Sequence, residues 1–202
     1  MNILHIDSSI LGQNSVSRQL TQALVDAIRA RRPGAGVVHR DVAADAIPHL
    51  SGEILGAAFA PEAEWNDNQR SERARSDALI EEFLAADVVV IGAPMYNFSI
   101  PSQLKAWIDR VAAAGRTFKY TENGPQGLAG GKKVIVASTR GGVYSTEQGR
   151  LMDFQEDYLK TVMGFLGISD VEFVRAEALN MGQDKRETAI WAAKDAIAKL
   201  AI

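Results

Sequence analysis

Cysteine is absent from this chain of 202 residues. Thiol nucleophiles, disulfides and cysteine-held zinc or iron–sulfur centres are excluded together, and redox chemistry at sulfur gives no clue to compartment. Histidine is nearly as scarce. His5, His39 and His49 are scattered, none with a second histidine or a carboxylate at ligand spacing along the chain, so each reads as structural and no metal site is expected. No apolar run approaches the roughly 18 residues of a membrane span. The start, Met1-Asn-Ile-Leu-His-Ile-Asp7, lacks a basic segment followed by a long apolar core, so a cytoplasmic protein away from membranes is expected. A net charge of -3 with pI near 5.7 carries neither a basic footprint for nucleic acid nor an acidic tail. There is no linker and no internal repeat, and a hydrophobic content of 47% suffices for one core, so residues 1–202 are expected to form one domain.

What is present alternates between strand and helix patterns. Ile3–Ile6 reads as a first, central strand, and from Arg18 the positions Leu20, Ala23, Leu24, Ala27 and Ile28 mark a helix running to Pro33. Val37–Val42 then completes a β-α-β unit. Between Ala43 and Ala63, Pro48, Gly52, Gly56 and Pro61 interrupt small apolar pieces, which predicts short helical turns and loop. A helix builds from Glu64 through Leu79, Ile80, Phe83 and Leu84, its first half, Asn66 to Arg75, being a solvated face. Val88-Val-Val-Ile91 is β-branched throughout without alternation, the mark of a strand buried on both faces of a parallel sheet. Leu104, Trp107, Ile108 and Val111 predict the next helix. Residues 116–131 form a long connection, a kind that tends to be functional. Lys133–Ser138 is a fourth strand, 148–166 a helix, Asp170–Arg175 a fifth strand, and Lys185–Leu200 a closing helix.

Three connections follow strand ends, where open α/β sheets bind ligands. The first, Ser9 to Ser17, leads into a helix start whose unpaired N–H groups and dipole favour an anion, and Ser9, Ser15 and Ser17 add hydroxyls. It has neither the Gly-Lys-Ser/Thr ending of a triphosphate loop nor a Gly-x-Gly-x-x-Gly fingerprint. A phosphate monoester suits it, the other reading being an ordinary N-cap. The second, Met95-Tyr96-Asn97-Phe98, packs two aromatic rings, a thioether and an amide into four residues between Pro94 and Pro101. A flat heteroaromatic guest fits it, unless the rings tuck back onto the sheet. In the third, Thr139-Arg140-Gly141-Gly142, the glycines let backbone N–H groups approach a ring edge and Arg140 can stabilise negative charge there, unless its side chain pairs with a surface carboxylate and only its backbone matters. Together the three loops describe a phosphorylated planar cofactor such as FMN.

These motifs resemble the FMN-dependent NADH azoreductases, relatives of the NAD(P)H quinone reductases. The match includes Ser-Ser-Ile, Ser-x-Ser before the first helix, Ala-Pro-Met-Tyr-Asn-Phe, Phe-Lys-Tyr-Thr-Glu-Asn-Gly-Pro-Gln-Gly-Leu and Arg-Gly-Gly, and it runs essentially end to end. The resemblance implies a flavodoxin-like α/β fold of three layers, with a five-stranded parallel sheet in the order 2-1-3-4-5. It also implies a homodimer with two sites at the subunit interface. Ser9, Ser15, Val16 and Ser17 match the phosphate and ribityl contacts, and Met95 to Phe98 with Thr139 to Gly142 the ring contacts. Tyr120 and Phe165 match aromatic residues that line the substrate pocket. Phe59 stands where some members carry an Arg implicated in nicotinamide use, which leaves NADH versus NADPH unassigned, and Tyr144 occupies a variable pocket position.

The activity so implied is an FMN-dependent NAD(P)H oxidoreductase that reduces quinones and cleaves azo bonds to aromatic amines by a ping-pong cycle. No side chain is assigned as catalytic, because the flavin N5 carries the hydride. Two other readings stand beside it. One is a flavodoxin-type electron carrier, against which the modest net charge and the long 116–131 insertion argue. The other is a flavin-free binding or phosphodiesterase-like protein on the same fold, for which no metal ligands or nucleophile are identified.

Overall fold

In the computed structural model, which describes residues 1–201, the apolar run Val88-Val-Val-Ile91 lies in a central parallel strand. In chain order the elements are β1 (Asn2–Asp7), α1 (Val16–Arg31), β2 (Gly36–Asp41), α2 (Gly52–Ala57), α3 (Asp67–Ala85), β3 (Val88–Pro94), α4 (Ser102–Val111), β4 (Phe118–Thr121), β5 (Gly124–Gly127), β6 (Lys133–Thr139), α5 (Glu147–Arg150), α6 (Glu156–Phe165), β7 (Asp170–Ala176) and α7 (Gln183–Lys199). The main sheet has the order β2-β1-β3-β6-β7, every neighbouring pair parallel. This is the expected 2-1-3-4-5 arrangement of five strands.

Strand periodicity explains the absence of alternation in β3. Val88 and Val90 point to one face with Ile3, Ile135 and Ala137, where Leu20, Leu24 and Ile28 of α1 and Ala193 and Ile197 of α7 cover them. Val89 and Ile91 point to the other with Leu4, Ile6, Val134 and Val136, under Phe83 of α3, Trp107 of α4, and Leu159 and Met163 of α6. Both faces are dry, so every position of β3 is buried. Among the described residues no helix is long and apolar enough to cross a membrane.

Three regions differ from the sequence reading. Residues 116–131 hold an antiparallel hairpin of β4 and β5 rather than open loop. It docks through glycine, because a Cβ on Gly127 would stand 2.0 Å from the Gly167 nitrogen. The helix expected over 148–166 is broken between α5 and α6, where Asp153 turns its carboxylate onto the N–H groups of Gln155 and Glu156. The solvated face expected over 66–75 contains a buried acid, Glu72, which pairs with the equally buried Arg110 of α4.

Candidate functional site

The carboxyl ends of β1, β3 and β6, adjacent in the sheet, deliver the three loops to one rim. At the first, α1 starts at Val16 with Ser15 as N-cap, the Ser15 Oγ accepting from the Arg18 N–H at 3.2 Å. The Ser17 hydroxyl lies 3.0 Å from that of Ser15. No acid occupies the first turn, and with the Arg18 N–H taken by Ser15, the N–H groups of Val16 and Ser17 and the helix dipole are the features of this turn that favour an anion. Ser15, Val16 and Ser17 thus share one helix start, and Ser9 is tied to the same helix by its carbonyl, which accepts from the Arg18 Nη2 at 2.9 Å.

The second loop is a tight turn. Tyr96 and Ser99 exchange backbone hydrogen bonds of 3.0 and 3.1 Å, and between them Asn97 and Phe98 take φ values of 49° and 72°. Two central residues at positive φ suit Asn-Gly. Asn tolerates the first position, but a Phe at the second is strained, and strain of this kind costs of order 1–3 kcal/mol and clusters at ligand clamps. The Phe98 ring is 45% exposed and meets Tyr144 edge-on at 6.4 Å, so it has not tucked back onto the sheet. Met95 is half-buried beside it.

Hydrogen bonds tie the three loops together. The Met95 N–H donates to the Thr139 carbonyl at 2.8 Å, and the Tyr96 hydroxyl lies 3.3 Å from the Ser9 Oγ. In the third loop the carbonyls of Gly141 and Gly142 accept from Asn180 and Ala178. Among the described residues their N–H groups make no backbone hydrogen bond.

Arg140 does not reach this rim as a charge. Its side chain is 2% exposed and turned inward, with Nη2 2.8 Å from Asp153 and 2.6 Å from Glu156, and Nη1 3.0 Å from Glu177. Its own N–H donates to the Ala176 carbonyl. The expected role at a ring edge is therefore corrected: the guanidinium neutralises carboxylates under the glycine turn. Burial raises the Glu177 pKa, but hydrogen bonds from Ser145 and the Tyr144 N–H, with Arg140, outweigh it and hold the carboxyl below its ordinary range. Gln155, which links Ser138 to the Ala93 carbonyl at 3.0 and 2.9 Å, locks the ends of β3 and β6 from beneath. Sequence reasoning passed over Asp153, Gln155, Glu156 and Glu177. Only the Asp153 capping pattern hinted at them.

Of the aromatics expected at a substrate pocket, Tyr120 stands 75% exposed on β4 and packs edge-on against Phe118 at 5.4 Å, which in turn meets Phe165 at 4.5 Å. Phe165 is half-buried against the core, so it supports the hairpin from below. Tyr144 joins Phe98. Phe59, 82% exposed past α2, joins none of these ring pairs.

The reading of His5 and His39 as isolated is corrected by the sheet. The parallel register sets them side by side, their ring centroids 4.5 Å apart, with Asp7 between their Nε2 atoms. Burial raises the Asp7 pKa, yet the His5 imidazole, Thr21 and His39 bring it down to about 2.

The chain matches the family described as having a flavodoxin-like fold over residues 1–201. It is 66% identical over 202 residues to an FMN-dependent NADH:quinone oxidoreductase of Chromobacterium violaceum, covering 100% of both chains, and 64% identical over 198 residues to one from Ralstonia nicotianae, covering 98% and 95%. Among solved structures, an azoreductase from Bacillus anthracis superposes with a TM-score of 0.90 at 31% identity over 98% of this chain and 97% of that one. An FMN-dependent NADH-azoreductase from the same species, in complex with FMN, gives 0.88 at 25% identity over 100% of both. A flavodoxin-like sheet and relatives matched from end to end lead to one conclusion: the chain belongs to the family of FMN-dependent NADH:quinone oxidoreductases.

Proposed function

We propose that the chain holds FMN across the three loops and uses electrons from NADH to reduce quinones and to cleave azo compounds, acting as a cytoplasmic homodimer with its sites at the subunit interface. The observation that carries this reading is the hydrogen-bonded union of the loops. Ser9 to Tyr96 and Met95 to Thr139 make one continuous floor from the anion-binding helix start to the glycine turn. When bound, FMN supplies the hydride chemistry between nicotinamide and acceptor.

The chain's own residues bind and tune. The N–H groups at Val16 and Ser17 and the hydroxyls of Ser9, Ser15 and Ser17 take the phosphate. Met95, Tyr96, Asn97 and Phe98 support the ring system. The N–H groups of Gly141 and Gly142 would donate to its pyrimidine edge, where donors favour negative charge. No acid–base pair is required. Tyr120, Tyr144 and Phe165 shape the acceptor space, and Phe59 extends it toward a second subunit. In that dimer the exposed Ile10, Leu11, Phe59, Leu151 and Phe154 are apolar side chains that a second subunit would cover.

Steady-state kinetics with NADH and menadione test this reading. One shared binding face gives parallel double-reciprocal lines; intersecting lines contradict it. Sedimentation at micromolar concentration tests the dimer, and a monomeric, fully active chain would remove it.

A further inference from the structure

A cavity of about 660 Å³ opens beside α1, lined by His5, Asp7, Ser15, Arg18, His39 and Lys194 among others. It is not part of the aromatic rim. Three potential ligand atoms meet there. The His39 Nε2 lies 3.0 Å from the Asp7 Oδ2, the His5 Nε2 lies 3.4 Å from the same oxygen, and all three fall within 4.8 Å of one another. A tetrahedral ion with bonds of about 2.0–2.1 Å holds its ligands about 3.3 Å apart, so two of the three separations already match. The third closes by a small turn of His39, whose side chain is 49% exposed and has room to rotate.

The His5 Nε2 supplies the independent sign of a missing ligand. The residue is 5% exposed, and this nitrogen is buried without a hydrogen-bond partner, its approach to Asp7 being out of line for one. An orphaned polar atom in such a place is costly. Asp7 is meanwhile oriented as a ligand should be: Thr21 donates to its Oδ1 at 2.8 Å, leaving Oδ2 for the ion. Three cationic side chains, Arg18, Arg29 and Lys194, also line the cavity and oppose a cation, the Arg18 Nη1 lying 3.7 Å from Oδ2. That guanidinium is held away by both oxygens of Asp41 and by the Ser9 carbonyl.

We propose that His5, Asp7 and His39 form a site for one divalent transition ion, of the class of Zn²⁺, with water from the cavity as fourth ligand. Two imidazoles and one carboxylate suit Zn²⁺, Co²⁺ and Ni²⁺ over Mg²⁺ and Ca²⁺, which require oxygen-rich shells. The site makes no use of the flavin, and none of its three ligands is among the residues assigned to FMN.

The test is titration of the FMN-loaded, tag-free chain at neutral pH with Co²⁺, reading its ligand-field band beyond the flavin absorption, followed by displacement with Zn²⁺. The expected result is saturation at one ion per chain, a band of tetrahedral intensity and its loss on adding Zn²⁺ but not Mg²⁺. Loss of a residue that merely orients a ligand weakens metal sites about 10–100-fold, so His39→Gln, at a half-exposed position that leaves the fold intact, is expected to weaken Co²⁺ at least that far. His49→Gln, at the exposed histidine outside the cluster, is expected to change nothing. No band, unchanged affinity in His39→Gln, or equal loss in His49→Gln would overturn the assignment. Proton NMR of the parent chain needs no variant: bound Co²⁺ is expected to shift the ring protons of His5 and His39, and shifts confined to His49 would likewise overturn it.

Discussion

Arg140 Nη2 lies 2.6 Å from Glu156 Oε1, and this buried ion pair joins the end of β6 to the start of α6 beneath the glycine turn. Asp153 and Glu177 complete a shell of carboxylates around one guanidinium, and Arg175 takes the far side of Glu156 at 2.7 Å. Removing one partner from such a cluster leaves uncompensated charge, at a cost of about 3–5 kcal/mol. Arg140→Met is expected to lose about that much in urea unfolding and to weaken FMN as the turn loosens. Wild-type stability would show that the cluster is decorative.

Glu177 gives the pH counterpart. Its pKa in the folded chain is below the ordinary 4.5, so its contribution to stability is complete above that value and fades as pH falls through the lowered one. Unfolding of the parent and of Glu177→Gln, compared across acidic pH, is expected to show a stability gap at neutral pH that narrows below about pH 4.5. A gap that stays constant through the acid range would contradict the assignment.

Phe98 sits at φ 72°, where glycine carries no strain. Phe98→Gly is therefore expected to leave stability unchanged or raise it by about 1 kcal/mol, while FMN affinity drops because a ring contact is gone. The two effects have opposite sign, which separates ligand support from folding. A parallel loss of both would mean that Phe98 is simply a packing residue.

The hairpin depends on Gly127, whose added Cβ would collide with the Gly167 nitrogen at 2.0 Å and the Leu166 carbonyl carbon at 2.2 Å. Overpacking against backbone costs about 1–3 kcal/mol or displaces the element. Gly127→Ala is expected to shift β4 and β5, and with them Tyr120, raising KM for a bulky azo substrate more than for a small quinone. Equal changes in both would detach the hairpin from the acceptor space.

Much of this was legible in the residues. The doubly buried β3 and the aromatic turn follow from local patterns, the first helix starts at Val16, two residues before the Arg18 expected, and the family settles the redox enzyme over an electron carrier or a flavin-free protein. What escaped depends on pairing across long separations. His5 meets His39 only through the β1–β2 register, and Glu72 meets Arg110 only through helix packing. The hairpin did leave a signal, Asn123-Gly124 at its turn, a strong hairpin mark that a stretch read as loop conceals. The break before α6 was hidden because Leu151 and Phe154 continue a helical apolar spacing, yet both are exposed, at 78% and 63%.

Whether three hydrogen-bonded loops hold one redox-active FMN is tested most directly by anaerobic titration of the FMN-loaded chain with NADH, followed by menadione. The expected result is one flavin per chain, bleached in proportion to the NADH added and restored to its oxidised spectrum by the quinone. A chain that retains no stoichiometric FMN, or whose flavin stays oxidised in excess NADH, would contradict it.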